Sequence, residues 1–191
     1  MEKHYNKIIL VTAPSGSGKT SIVHKMMKTF PKLTFSVSAT TRPPRAIEQE
    51  GKDYYFISTE VFKEKIHRKE FLEWEMVYEG KYYGTLKTEM SRIWAMGNVP
   101  VLDIDVQGAI HVQQQYPVNT LAVFIQAPSI EELKRRLQSR GSETDESLQA
   151  RLNKSSYEMT FKNHFEHIVV NKDFNIACEE TAKIIKDFLE K

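Results

Sequence analysis

The chain has 191 residues, 40% hydrophobic and 27% charged, enough to bury a proper core as one domain. A formal net charge of +2, with Lys and Arg spread along the chain, gives no basis for a nucleic-acid surface or an anionic membrane partner. No apolar run reaches membrane length, the N-terminal one is too short for a signal-peptide core, and a single cysteine, Cys178, leaves no internal disulfide or zinc framework, so a cytoplasmic protein is expected.

Lys7 to Thr12 (KIILVT) is a short run rich in β-branched residues and reads as a buried parallel strand. Ala13 to Thr20 (APSGSGKT) follows, and then SIVHKMMKTF places apolar residues at helical spacing. Strand, glycine-rich turn and helix is the context in which backbone N–H groups and a helix N-terminus cradle phosphates. Ala13, Pro14, Ser15, Gly16, Ser17 and Gly18 would wrap the phosphates of a nucleoside triphosphate. Lys19 would bridge the β- and γ-phosphates, and the Thr20 hydroxyl would ligate Mg2+. Ala13 stands where the G-x-x-x-x-G-K-[ST] pattern has its first Gly, a departure that is tolerable if the backbone there has negative φ.

Leu33 to Ser38 reads as a second strand, and residues 39–58 as turn-rich and polar, with Pro43-Pro44 excluding a regular helix. Arg42 and Arg45 lie three apart in this segment, with hydroxyls before them and Glu48, Asp53, Tyr54 and Tyr55 after them. Guanidinium forks grip phosphate bidentately and a Tyr hydroxyl adds a donor, so the cluster suits a second, smaller phosphorylated ligand. Two phosphate sites in one small chain point to transfer between them.

Ser58 precedes a helical run (TEVFKEKIHRK), Phe71 to Val77 is extended, and Leu86 to Met96 is helical up to Gly97. Val99 to Asp103 and Thr120 to Gln126 are buried strands. Asp103 and Asp105 follow a period of two and share a face; a strand-terminal Asp beside a phosphate loop orders Mg2+, usually through water, while Asp105 could equally cap the helix that begins near Gln107. Ser129 and Glu132 form a capping box for a helix running to Arg140, and Gly141 to Glu146 predicts a mobile polar turn. A long polar helix follows, then a strand from His167 to Asn171 and an amphipathic helix from Ile176 to Leu189. Strands alternating with helices imply a parallel sheet flanked by helices.

The stretches APSGSGKT, SVSATTRPPR with Glu48, GKDYYF, EFLEWE, YYGT, VLDIDVQG, RLQSRG with the later Arg151, and VVNKD stand in the order found in guanylate kinases. Across nearly its whole length the chain resembles that family, an α/β group of P-loop nucleoside monophosphate kinases that move the γ-phosphate of ATP to GMP with Mg2+. The resemblance implies a core of about 1–36, 91–132 and 165–191, a GMP-binding insert of about 37–90 and a lid of about 133–164. It implies that Arg42, Arg45, Tyr54 and Tyr83 hold the GMP phosphate, with Glu48 beside them. Glu73 would read guanine by accepting from N1–H and the exocyclic amino group, with Ser38 and Thr85 at the O6 edge and Gly84 alongside. Asp103 and Asp105 would approach GMP as well as the metal. Arg136, Arg140 and Arg151 would be lid arginines reaching the ATP phosphates and adenine, with Asn171 at the adenine edge; Lys19, Arg42, Arg140 and Arg151 would carry catalysis. A catalytically dead binding module of this fold would lack the phosphate-gripping residues, and a ribose-phosphate kinase would have no use for Ser38, Glu73 and Thr85 together.

Overall fold

The computed structural model describes residues 6–138 and 145–191. In chain order the elements are β1 (Ile8–Thr12), α1 (Lys19–Thr29), β2 (Leu33–Phe35), β3 (Ser38–Thr40), β4 (Tyr54–Phe56), α2 (Thr59–His67), β5 (Phe71–Tyr78) and β6 (Lys81–Leu86). They continue with α3 (Lys87–Ala95), β7 (Val99–Asp103), α4 (Val106–Gln115), β8 (Thr120–Gln126), α5 (Ile130–Gln138), α6 (Asp145–Met159), β9 (His167–Val170) and α7 (Phe174–Glu190), with a 3₁₀ turn at Lys162–His164.

Five strands make a parallel sheet in the order β2-β7-β1-β8-β9. Alternation along β1 sends Ile9 and Val11 into one apolar layer with Ile22, Val23 and Met26 of α1 and Ala177 and Ile185 of α7. Ile8 and Leu10 enter the opposite layer, with Met90 and Ile93 of α3 and Ala109 and Val112 of α4. Burying each such Ile or Leu contributes about 1.5–3 kcal/mol, so this two-faced core holds the sheet that positions everything else. The carboxyl ends of β1 and β7 are neighbours, with Val11 opposite Asp103, which sets the phosphate loop and that carboxylate side by side.

The expected strand from Leu33 to Ser38 is two strands in two sheets. β2 joins the core; β3 belongs to a second sheet, ordered β4-β3-β6-β5, in which β3 and β4 are parallel and the other pairs antiparallel. The chain changes sheet at Ser36-Val37. Ser36 N still donates to Val101 O at 2.9 Å, whereas Val37 N donates to a side chain, that of Glu89. β4 lies within the segment read as turns, and β6 precedes the helix now seen to start at Lys87. Ser58 caps α2 by accepting from Val61 N, and Ser129 Oγ accepts from Glu132 N. Of the expected turn at 141–146, residues 141–144 lie outside the described residues, and α6 already begins at Asp145. Among the described residues no helix is long and apolar enough to cross a membrane.

Candidate active site

The loop between β1 and α1 turns through two glycines with positive φ, Gly16 at 89° and Gly18 at 92°. A methyl group at Gly18 would lie 2.4 Å from Asn171 Nδ2, so only glycine suits that position. Ala13 is buried and its φ is not positive, so the methyl in place of the usual glycine is accommodated. No side chain caps α1, which leaves the N–H groups of its first turn to the cleft.

The loop's carbonyls are tied from behind. Asn171 Nδ2 donates to Ser17 O at 2.7 Å, Arg136 Nη1 to the same oxygen at 3.4 Å, and Ser155 Oγ to Ser15 O at 3.4 Å. Arg136 also donates to Asn171 O at 2.9 Å and to Glu132 at 2.8 Å. Arg136 and Asn171 therefore brace the phosphate loop here and do not line the cleft in front of it. Within the loop Ser17 N donates to Pro14 O at 3.2 Å, so the turn that an anion site requires is held by its own backbone as well as by these side chains.

In front of the loop lies a cleft of about 770 Å³, lined by residues 13–20, Ser38, Glu48, Tyr54, Asp103, Asp105 and, from α6, Arg151, Lys154 and Glu158. Lys19 Nζ sits 2.5 Å from Asp103 Oδ1 and donates to Ile104 O at 3.1 Å. Burial alone would push this ammonium down, but Asp103, with Glu158 and Asp105 beyond it, more than offsets that and holds it firmly charged. Thr20 Oγ1 donates to Asp103 Oδ2 at 3.3 Å. Asp105 lies past the end of β7 and caps α4, accepting from Gly108 N at 2.9 Å, while still lining the cleft.

A cavity of about 200 Å³ adjoins the cleft; Glu73, Glu75, Tyr83 and Gly84 line it. Lys19, Ser38, Tyr54, Asp103, Asp105 and Lys154 line both spaces. Glu73 is 6% exposed and takes a 2.6 Å hydrogen bond from Thr85 Oγ1. A Cβ at Gly108 would meet its Oε2 at 2.8 Å, so the missing side chain on α4 is what lets the carboxyl sit there. Burial pushes this carboxyl up to about 7 despite the Thr85 bond, with Asp105 adding repulsion. It can therefore take either protonation state near neutrality.

Arg42, Glu48, Tyr54 and Tyr83 form one group. Both ends of the Arg42 fork reach Glu48 at 2.6 Å, its Nε donates to Tyr83 OH at 3.2 Å, and its guanidinium lies 4.9 Å from the Tyr54 ring centre. The Arg42 bonds, joined by one from Arg45 N, hold the Glu48 carboxyl down at about 2, although partial burial works against them. Arg45 contributes its backbone here; its side chain is exposed and lines neither space. Arg140 lies outside the described residues. Lys154, Glu158 and Glu75 were not singled out from sequence, yet the signal existed. Helical period from Arg151 gives Lys154 and Glu158, and strand period from Glu73 gives Glu75.

A sequence profile of the guanylate kinase family matches residues 5–188. A guanylate kinase of Bacteroides thetaiotaomicron is 43% identical over 185 residues, covering 97% of this chain and 91% of the relative. One of Salinibacter ruber is 44% identical over 182 residues, covering 95% and 96%. The crystal structure of guanylate kinase from Anaplasma phagocytophilum superposes with a TM-score of 0.80 at 28% identity, over 99% of this chain and 89% of that one.

Proposed function

The chain belongs to the guanylate kinase family, and on that premise we propose how its residues share the work. It is an enzyme that transfers the γ-phosphate of ATP to GMP, giving ADP and GDP. An oxygen of the GMP phosphate forms the new bond to the γ-phosphorus as the bond to the β-phosphate oxygen breaks, and ADP leaves. The observation that carries the division of labour is the set of residues common to both spaces, because a donor in one and an acceptor in the other would meet there.

Residues 13–18 wrap the ATP phosphates, and Lys19 bridges the β- and γ-phosphates. Arg136 and Asn171 serve the ATP site by fixing the loop. Thr20 and Asp103 supply hard oxygen ligands next to one another, and among the described residues there is no cluster of three acids or histidines to cage a metal. That donor set fits Mg2+, which needs only one or two protein oxygens when phosphates and water complete its shell. Held by Thr20 and Asp103, such an ion would supply positive charge to the nucleotide phosphates. Arg42, Tyr54 and Tyr83 hold the GMP phosphate, Glu48 orients Arg42, and Arg45 joins them as the insert of about 37–90 closes. Glu73, Ser38, Gly84 and Thr85 receive guanine, with Asp105 beside them. Arg140 and Arg151 act from the lid, about 133–164. A cytoplasmic setting belongs to the same reading, supported by ATP as donor and by Cys178 as a buried free thiol.

A coupled assay of GMP, AMP, UMP and ribose phosphates with Mg-ATP tests this. Turnover of roughly 1–100 s⁻¹ is expected with GMP alone among them. ADP formation no faster with GMP than without it would overturn the reading. Lys19→Ala is expected to abolish transfer with an unchanged circular dichroism spectrum.

A further inference from the structure

Glu89, in the first turn of α3, is 3% exposed and binds three separate parts of the chain. Its Oε1 accepts from Val37 N at 3.1 Å and from Arg92 Nη2 at 2.7 Å. Its Oε2 accepts from Tyr55 OH at 3.2 Å and from Arg92 Nε at 2.9 Å. Burial would raise this carboxyl, but the bonds from Arg92, Val37 and Tyr55 outweigh it and hold the group below its ordinary value, so the anion is the form present.

The places it binds matter more than their number. Val37 is the residue at which the chain leaves the core sheet for the second one, and it is buried, so its N–H has a carboxylate where a strand partner would otherwise be. The next residue, Ser38, lines both spaces of the cleft. Tyr55 follows Tyr54, which lines both spaces and stacks on Arg42. Glu89 itself lies four residues after Thr85, which stands near the end of β6 and donates to Glu73. Its own helix packs on the core through Met90 and Ile93. One buried anion thus ties the β2–β3 joint and β4 to a helix of the fixed core, each tie one residue away from the acceptor cavity.

We propose that Glu89 is a positioning residue for the acceptor nucleotide, pinning Val37 and Tyr55 so that Ser38 and Tyr54 keep their spacing from Thr85 and Glu73. The assignment rests on the reading of the second sheet as the GMP site. Residues of the phosphate loop take no part in the pin, so its loss acts on one substrate and not the other.

Glu89→Gln keeps the shape and removes the charge. Hydrogen bonds to a charged group are worth enough that acceptor binding should weaken by about 10-fold, read as KM for GMP, with KM for ATP and kcat within about 2-fold of wild type. Tyr55→Phe removes a single tie and folds without a buried charge left over; about a 3-fold rise in KM for GMP is expected. The double variant should be no worse than Glu89→Gln alone, since both changes break one connection. Hydrogen exchange in the free protein tests the pin without any nucleotide: amides 36–40 and 54–57 should exchange faster in Glu89→Gln while β1 and β8 do not change. Unchanged exchange at the joint, or equal rises in KM for both nucleotides, overturns the proposal. Wild-type protein that does not use GMP overturns the acceptor reading beneath it, a failure visible before any variant is made.

Discussion

At Glu73 a single side chain must do two incompatible things. In the role proposed for it, it has to be buried to read a base edge, and burial pushes its proton affinity up to about 7, yet only the anion can accept from both N1–H and the amino group of guanine. GMP binding should therefore release a proton below about pH 7 and tighten as pH rises towards 8. Calorimetry near pH 6.5 in two buffers of different ionisation enthalpy measures this, and Glu73→Gln should lose the Glu73 share of it, leaving only what the GMP phosphate contributes. The stability effect has the opposite sign. An unfolded Glu titrates near 4.5, so between there and about 7 the native state holds the extra proton, and stability falls as pH rises through that window. In activity, Glu73→Gln should lower kcat/KM for GMP by about 10⁴-fold, because the amide turns a donor towards another donor. ATP binding measured alone should not change; an unaltered GMP rate would remove Glu73 from the guanine site.

Among the elements, the phosphate loop shows how a motif depends on parts that no motif contains. Its Ser17 carbonyl is held by Asn171, past β9, and by Arg136, on α5. Asn171→Ala should leave Ser17 O with only the longer bond from Arg136, cost about 0.5–1.5 kcal/mol of stability and raise KM for ATP by about 10-fold, with KM for GMP unchanged. An equal loss for both nucleotides in steady-state kinetics would show a general defect instead. These partners also mark what the sequence could convey. The loop, β7, β8, the helix start after Ser58 and the cap at Ser129 were legible because local spacing and chemistry decide them. The split of Leu33 to Ser38 into two sheets was not, since both halves are extended and only partners distant in sequence, β7 for one half, β6 for the other and the Glu89 side chain at Val37 N between them, tell them apart. β4 and β6 were hidden for a related reason: short half-buried strands among tyrosines and turns carry weak periodicity. Asp105 was legible only as a pair of options, cap or ligand-facing acid, and it is found capping α4 while lining the cleft.

Over the whole molecule the proposed site would bring two anionic substrates together, and their repulsion must be met by positive charge. Lys19 is assigned to the donor side and Arg42 to the acceptor side, and Asp103 and Glu48 are their partners in this state. Two more basic residues come from α6, where Arg151 and Lys154 line the cleft one turn apart and Lys154 lies 3.8 Å from Glu158 a turn beyond. The transferring phosphoryl group spreads charge over its equatorial oxygens, so cations brought in by closure of the proposed lid would lower the barrier more than they tighten either ground state. Such closure would also shed water and limit hydrolysis of ATP in the acceptor's place. Arg151→Ala should consequently lower kcat by about 10³-fold, as loss of a supplied arginine does in other phosphoryl transfers. KM for GMP should move by less than about 3-fold, because Arg42, Tyr54 and Tyr83 remain in place. Steady-state kinetics with both substrates varied decides the matter: a loss confined to KM for GMP, with kcat intact, would make Arg151 an acceptor-binding residue and leave closure to be driven from elsewhere on α6.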